Sequence, residues 1–278
     1  MQMINFKDLE TKGYCVLPNF LTENEIQFIL NDFNNAAISL NKNYQIKKPS
    51  LDCVRKVYSK VYALAKEIAN STDLNINMIT DEYAFVDNQI INFKWHQEHE
   101  PFFTFQQLSN YAIFYMPIVK LQPNISGIDI IPFDELNKSV PEYVDLLKSN
   151  GAREFIASGN NTIVSEDSLD TSFEIPVNFE NIKVTPDIMP GDLVILRGNT
   201  IHRTQDSSTA RVAFTVKFTD GEHLINKSTL LSGGATKQRM INNNKSLYNR
   251  ILSSMADKDY VKAREVFGDT NFKLQTKQ

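Results

Sequence analysis

The chain has few cysteines, tryptophans and histidines, and the cysteines are too sparse to form a scaffold. Cys15 and Cys53 are the two cysteines among 278 residues. They have neither the density of a disulfide framework nor a metal-ligand spacing, which favours a reducing cytoplasm as the location. No apolar run approaches the roughly 18 residues that a transmembrane helix needs. The N-terminus lacks a basic segment followed by an apolar one, so no signal peptide is expected.

Positive charge is not in excess either. Lysine and arginine total 29 against 33 aspartate and glutamate, for a net charge of -4. A protein that binds nucleic acid without sequence preference would show a basic stripe, and none is visible. We therefore expect a small-molecule substrate and neither a nucleic-acid nor a membrane partner. The sequence does not indicate an oligomeric state.

What is present is the composition of an ordinary globular protein, with 42% hydrophobic and 22% charged residues. No repeat and no linker rich in proline, glycine or serine divides the chain, so we expect one domain over residues 1–278. Helices are predicted after the capping box Thr22–Glu25, over 54–68, over 139–150 and in a C-terminal segment, 234–270. Period-two or continuous apolar patterns predict strands at 14–17, 83–86, 89–96, 110–116, 127–131, 193–196 and 211–218.

Two short segments carry the residue types that a metal site requires. His96 and Glu98 are two residues apart in a predicted strand, so both side chains point to one side. His202 follows a buried strand and could supply a third ligand. Two histidines and one carboxylate leave about three coordination positions open, as in non-haem Fe(II) oxygenases.

Alternatives exist for each of these residues. Most His-x-Glu pairs are solvated strand residues, and His99 and His223 are interpreted as surface residues or as neighbours of a site. A zinc peptidase is suggested by the run His96–Glu100. That run matches neither H-E-x-x-H nor H-x-x-E-H, and it lies in strand-like sequence where those motifs need a helix.

Arg211 strengthens the oxygenase interpretation. It lies nine positions after His202 and begins an alternating strand, on the side opposite Val212, Phe214 and Val216. The cosubstrate 2-oxoglutarate chelates the metal at one end, and its far carboxylate needs a partner. The planar guanidinium of Arg211 suits that carboxylate, and the Thr204 hydroxyl could add a second bond. The alternative for Arg211 is an ion pair at the rim.

Over most of residues 10–220 the sequence resembles the phytanoyl-CoA dioxygenase-like family of Fe(II)/2-oxoglutarate oxygenases. Four pieces carry the resemblance, in this order: Gly13-Tyr14-Cys15-Val16-Leu17 with the Thr22–Glu25 helix start, Trp95-His96-Gln97-Glu98-His99, Ser126-Gly127-Ile128-Asp129-Ile130-Ile131-Pro132, and Pro190-Gly191-Asp192-Leu193-Val194-Ile195-Leu196 followed by His202, Thr204 and Arg211. The resemblance implies a mainly β fold with flanking helices around a double-stranded β-helix, the cupin-like jelly roll.

The resemblance also implies an activity. His96, Glu98 and His202 would hold Fe(II), and Arg211 would bind 2-oxoglutarate. Oxidation of a substrate C–H bond with O2 would release succinate and CO2. Lys94 and Phe114 are further candidates for cosubstrate contacts, with core packing the alternative for Phe114. A non-catalytic jelly-roll binding protein that keeps the family scaffold is the alternative function.

Two departures from the family pattern bear on this reading. Glu98 stands where the family usually has aspartate; it keeps the charge but is one methylene longer. Family halogenases replace the acidic ligand with a small residue, so Glu98 favours hydroxylation or a related oxidation. Residues 133–180 depart most from the pattern and interrupt the strand series. They are predicted to be an irregular insertion that forms part of the substrate pocket and its lid.

Overall fold

The structure is a computed structural model that describes residues 5–41, 44–80, 83–87, 93–167, 169–205 and 208–267. Its strands are β1 (Tyr14–Leu17), β2 (Ile38–Asn41), β3 (Tyr44–Lys47), β4 (Met78–Ile79), β5 (Ala84–Asp87), β6 (Tyr111–Lys120), β7 (Ile128–Ile131), β8 (Arg153–Ser158), β9 (Asn161–Glu166), β10 (Thr171–Ile175), β11 (Leu193–Arg197), β12 (Ile201–Thr204), β13 (Arg211–Thr219), β14 (Leu224–Asn226) and β15 (Tyr260–Lys262). Its helices are α1 (Lys7–Thr11), α2 (Glu23–Asn35), α3 (Leu51–Ser71), α4 (His99–Phe105), α5 (Phe133–Ser139), α6 (Val144–Lys148), α7 (Lys227–Leu231), α8 (Ala235–Asn243), α9 (Lys245–Met255) and α10 (Ala263–Phe267).

The larger sheet is antiparallel, with strand order β1-β11-β6-β13-β5-β3-β2, and β4 also pairs with β13. Its side chains alternate between two faces, as the period of two requires. Phe114, Phe214 and Val216 are on the face that packs against Ile29 of α2 and Val57 of α3. The predicted capping box at Thr22 is present and begins α2.

The other face of this sheet packs against a second set of antiparallel strands. Ile113 and Tyr115 of β6 share a core cluster with Ile128 and Ile130 of β7. In this second layer β7 pairs with β12, and β8 pairs with β9, which pairs with β10. His96 forms antiparallel bridges to His202 of β12 and to Glu154 of β8, so the 93–97 segment joins the two groups of strands.

The structure is a mixture of helices and antiparallel sheets, which confirms the predicted mainly β fold with flanking helices only in part. The jelly-roll assignment itself stays a prediction. Among the described residues, no helix has the length and apolar character needed to cross a bilayer.

Three predicted elements differ from those observed. The helix predicted over 139–150 is present but shorter and less regular: a 3-10 turn over Pro141–Tyr143 leads into α6, and Pro141, which has no backbone N–H to donate, separates this helical stretch from α5. Of the strand predicted over 89–96, residues 89–92 lie outside the described residues, and the rest forms only the bridges at His96. The C-terminal segment contains β15, paired with β14, as well as helices.

Residues 133–180 are not irregular, which corrects that part of the prediction. They contain α5, α6 and the β8–β9–β10 meander. Phe133, Phe155 and Val164 from this segment pack with Trp95 and Ile201 on the outer side of the second layer. In β9, buried residues alternate with partly buried ones, which is the period of two expected of a strand with one face on the core.

Candidate metal centre

The structure brings the three predicted metal ligands together. His202 is on β12, His96 bridges to it from the neighbouring segment, and Glu98 immediately precedes α4. Glu98 Oε1 lies 3.5 Å from His202 Nε2 and 3.9 Å from His96 Nε2. One ligand atom from each residue lies within 4.8 Å of the other two.

In each histidine, the ring nitrogen that faces away from the candidate metal position, Nδ1, forms a hydrogen bond with a backbone carbonyl oxygen. His96 Nδ1 lies 2.6 Å from the Lys94 carbonyl oxygen, and His202 Nδ1 lies 2.9 Å from the Thr200 carbonyl oxygen. A carbonyl can only accept, so Nδ1 carries the proton and donates in both rings. In the neutral form of such a ring, Nε2 presents a lone pair, which is the form that coordinates a metal.

Burial keeps His96 neutral. Desolvation, followed by the charge of His202, lowers the pKa of His96 to about 3. A neutral ring with Nδ1 protonated therefore turns its Nε2 lone pair toward a carboxylate oxygen, with no proton between the two atoms. Metal–ligand bonds of about 2.0–2.2 Å place neighbouring ligands about 3 Å apart. The observed separations are only slightly larger, so the group fits a divalent cation.

Glu98 is held ionised by a lysine. Burial alone would raise the pKa of Glu98, but the charge of the Lys217 ammonium opposes burial, and the pKa stays well below its usual range. Lys217 Nζ lies 2.5 Å from Glu98 Oε2. The carboxylate therefore has one oxygen on Lys217 and the other facing the histidines.

Gly198 lies just before β12, and the close packing of neighbouring chain segments explains why this position is a glycine. The Gly198 carbonyl accepts from the Glu98 backbone N–H at 3.5 Å. A Cβ at position 198 would lie 2.9 Å from Tyr111 Cβ and 3.0 Å from the Leu108 carbonyl oxygen, which is closer than side chains allow. Gly198 thus lets the chain before His202 pass against the start of β6.

Arg211 is fully buried, on the face of β13 that looks toward the metal centre. Its Nη1 donates to Tyr115 Oη at 2.6 Å and to the Gly127 carbonyl at 3.1 Å. The Gly127 carbonyl also accepts from the Gln205 backbone N–H, three residues beyond His202. At about 3.3 Å per residue, Arg211 is anchored roughly 10 Å along β12 from His202.

The other predicted contacts divide into two groups. Thr204 is buried on the same side of β12 as His202, and its hydroxyl accepts from the Phe93 backbone N–H at 3.2 Å. Lys94 has an exposed side chain. Phe114 is not near the metal centre, which corrects its candidacy as a cosubstrate contact. It is on the helix-facing side of the large sheet, with its ring 4.9 Å from that of Phe218.

The sequence did not single out Lys217 or Tyr115, which the structure places against Glu98 and Arg211 respectively. Lys217 and Arg211 are both odd-numbered residues of β13, so their side chains point to the same face of the strand. This shared face is the feature of the sequence that could have identified Lys217 as a site residue. The sequence also suggests no more for His99 than a position on the surface or beside a site. The structure places His99 Nδ1 3.5 Å from Asp167 Oδ2 and 3.9 Å from Glu154 Oε1, a second group of residues that could bind a cation. The fourth histidine, His223, is partly buried, and burial lowers its pKa.

Solved structures share the fold of this chain. EctD from S. alaskensis in its apo form has a TM-score of 0.53 and 10% identity, over 82% of this chain and 80% of its own. SnoN, a non-haem α-ketoglutarate-dependent epimerase from nogalamycin biosynthesis, has a TM-score of 0.52 and 13% identity, over 78% and 82%. EctD with 2-oxoglutarate and 5-hydroxyectoine has a TM-score of 0.51 and 11% identity, over 79% and 76%.

Sequence comparison adds no relative, because no protein-family model and no curated protein matches the chain. At these identities the structural likeness shows the fold alone.

Proposed function

We propose that this protein is a non-haem Fe(II)- and 2-oxoglutarate-dependent dioxygenase that hydroxylates, or otherwise oxidises, a C–H bond of a small metabolite. One observation carries the proposal. His96, His202 and Glu98 direct two imidazole nitrogens and a carboxylate oxygen to one point, with both Nδ1 atoms already committed to backbone carbonyls. That donor set is the one that non-haem Fe(II) oxygenases use.

The fold and the order of the motifs support the same conclusion. Two of the solved structures that share the fold were determined with the cosubstrate: SnoN in complex with Fe3+ and α-ketoglutarate, and EctD with 2-oxoglutarate. The motifs that resemble the phytanoyl-CoA dioxygenase-like family include every ligand of the proposed centre. We therefore assign the chain to that group of enzymes as part of the proposal.

The chain's own residues have separable tasks. His96, His202 and Glu98 hold the metal, and Arg211 binds the far carboxylate of 2-oxoglutarate. Between Arg211 and Lys217 the inner face of β13 carries only Ala213 and Thr215, whose small side chains leave space for the cosubstrate. When bound, Fe(II) with 2-oxoglutarate and O2 supplies the oxidising chemistry and yields succinate and CO2. The surrounding core limits access of water to the site.

The substrate is proposed to enter beside the β8–β9–β10 meander. Glu154 is the bridge partner of His96, so both side chains are on one face of the second layer. The 57% exposure of the Glu154 side chain supports an opening of the site at this position. Residues 133–180 would thus contribute to the substrate pocket, as the sequence predicts.

An anaerobic Fe(II) titration tests the metal ligands. His96→Ala and His202→Ala should each lose or greatly weaken the binding of one Fe(II) per chain, because each removes one of three ligands. His223→Ala is the matched control and should bind as the wild type does. Wild-type affinity in both ligand variants would refute the assignment.

Succinate formation separates an enzyme from a binding protein. The Fe(II)-loaded wild type should convert 2-oxoglutarate to succinate in air, slowly without substrate and faster with it. If the loaded protein binds 2-oxoglutarate but forms no succinate with any metabolite tested, the alternative of a non-catalytic jelly-roll protein is correct.

A further inference from the structure

Lys217 makes the closest contact to the proposed metal ligands, and the motif resemblance gives it no role. It is on β13, in phase with Arg211, Ala213 and Thr215, and therefore on the inner face of the large sheet. Its Nζ lies 2.5 Å from Glu98 Oε2, and the two side chains are 21% and 9% exposed. The pair is enclosed, so it is not one of the solvated surface pairs that contribute little.

The carboxylate of Glu98 needs a second group to fix its orientation more than the carboxylate of a shorter aspartate would. The extra methylene gives glutamate one more rotatable bond, so its carboxylate can reach a metal in more than one way. In the structure Oε1 faces the two histidines, at 3.5 and 3.9 Å, while Oε2 is bound to Lys217. Charge-assisted hydrogen bonds of this kind are short and strong, and they fix the plane of the carboxylate.

The number of carboxylate oxygens that reach the metal decides what else can bind. Two histidines and one carboxylate oxygen leave about three positions, which 2-oxoglutarate and O2 together require. If both oxygens of Glu98 bound the metal, one of those positions would be lost. An ammonium on Oε2 prevents this and also offsets the carboxylate charge near an anionic cosubstrate.

We propose that Lys217 is a positioning residue that keeps Glu98 a one-oxygen ligand and so preserves the coordination positions for 2-oxoglutarate and O2. This inference rests on the proposed function. Lys217 acts through Glu98 and does not itself touch the reacting atoms.

The experiment compares Lys217→Met with the wild type under anaerobic conditions. Two quantities are measured: the affinity for Fe(II), and the affinity of the Fe(II)-loaded protein for 2-oxoglutarate, followed by the visible charge-transfer band of the chelate. We expect Fe(II) affinity to be kept or increased, because the released oxygen can also bind the metal. We expect 2-oxoglutarate affinity to fall at least about tenfold and the band to shift. A merely structural role would lower both affinities together.

Further variants show whether a loss of 2-oxoglutarate affinity in Lys217→Met reflects the lost contact or misfolding. Lys217→Arg should restore much of the 2-oxoglutarate affinity, since it returns a cation to Oε2, and Lys217→Gln should fall between wild type and Lys217→Met. Lys262→Met removes a lysine that is 2.7 Å from Glu222 on the surface and serves as the matched control. It should leave both affinities unchanged.

A double-mutant cycle connects the effect to the longer ligand. With Glu98→Asp in the background, Lys217→Met should cost much less 2-oxoglutarate affinity, because the shorter side chain no longer brings Oε2 to Lys217 in the same way. The inference is overturned if Lys217→Met binds 2-oxoglutarate with wild-type affinity and an unshifted band, or if the cycle shows no coupling. If the wild type itself binds neither Fe(II) nor 2-oxoglutarate, the proposed function fails instead.

Discussion

Each ligand of the candidate centre commits one polar atom to the protein and leaves the other for the metal. The two histidines commit Nδ1 to carbonyls two residues earlier, and Glu98 commits Oε2 to Lys217. Such outer partners fix the ring orientation and the tautomer of a ligand before any metal arrives. The site is therefore preorganised by groups that do not themselves coordinate.

Arg211 gives a prediction at the same scale. Arg211→Ala should weaken 2-oxoglutarate binding to the Fe(II)-loaded protein by about tenfold to a hundredfold, because a charge-assisted bond contributes roughly 1.5–3 kcal/mol. Fe(II) affinity should change little, since Arg211 is not a ligand. Arg211→Lys should recover only part of the loss, because an ammonium lacks the planar fork. Calorimetry of the anaerobic protein measures both affinities.

The control for Arg211 is Arg264→Ala, which removes an exposed arginine 2.6 Å from Glu222 and should bind 2-oxoglutarate normally. Unchanged affinity in Arg211→Ala would mean that another basic residue holds the cosubstrate. Lys94 is then the candidate. Arg203 is not, because it points to the other side of β12, where it pairs with Asp129 and Glu180 and lies over the Trp95 ring.

At the scale of elements, β13 separates two environments. Its odd-numbered inner side chains carry the two cations of the site, while Val212, Phe214 and Val216 pack on α2 and α3. A shift of its register by one residue would exchange these two sets and bury the apolar ones in the site. The packing of the helices on β13 therefore determines the position of Arg211 and Lys217.

The start of α2 gives a prediction about stability and pH. Burial would raise the pKa of Glu25, but its bonds to Lys60 and to Thr22 lower it overall. A folded-state pKa below the unfolded one means that the ionised Glu25 stabilises the protein above its unfolded pKa of about 4.3, and that this is lost as the pH falls through the folded value. Glu25→Gln should therefore reduce the free energy of unfolding by roughly 0.5–1 kcal/mol at neutral pH.

Denaturant unfolding at several pH values measures this effect. The difference between wild type and Glu25→Gln should shrink as the pH falls below about 4. Glu23→Gln, at an exposed position of the same helical turn, should show no such pH-dependent difference. A difference of the same size at every pH would show that the Glu25 charge is not what stabilises the start of α2.

At the scale of the whole molecule, the site lies between two layers of strands and draws on both. His96, His202 and Gly127 come from the second layer, and Arg211, Lys217 and Tyr115 come from the large sheet. Binding a metal and 2-oxoglutarate would therefore join the layers. A ligand that binds only the folded state stabilises it by mass action.

This gives a prediction for thermal unfolding. Under anaerobic conditions, Fe(II) and 2-oxoglutarate at 100 times their dissociation constants should each add about 2.7 kcal/mol to the free energy of unfolding. In a protein of this size that raises the melting temperature by several degrees. A chelator should reverse the gain, His202→Ala should lack it, and His223→Ala should keep it. A wild-type melting temperature indifferent to both ligands would contradict the proposed site.

The sequence alone determined much of the local structure and singled out the three candidate metal ligands. The capping box, the alternation of β13 and the buried run of β11 are short-range patterns, and spacing along one strand gives the side on which a residue points. Tertiary structure decided which side of each strand faces the site. It placed Phe114 in the helix-facing core, brought Lys217 to Glu98, and folded residues that were expected to be irregular into a meander. These outcomes depend on contacts between segments as far apart in sequence as Glu98 and Lys217, and no local pattern encodes such contacts.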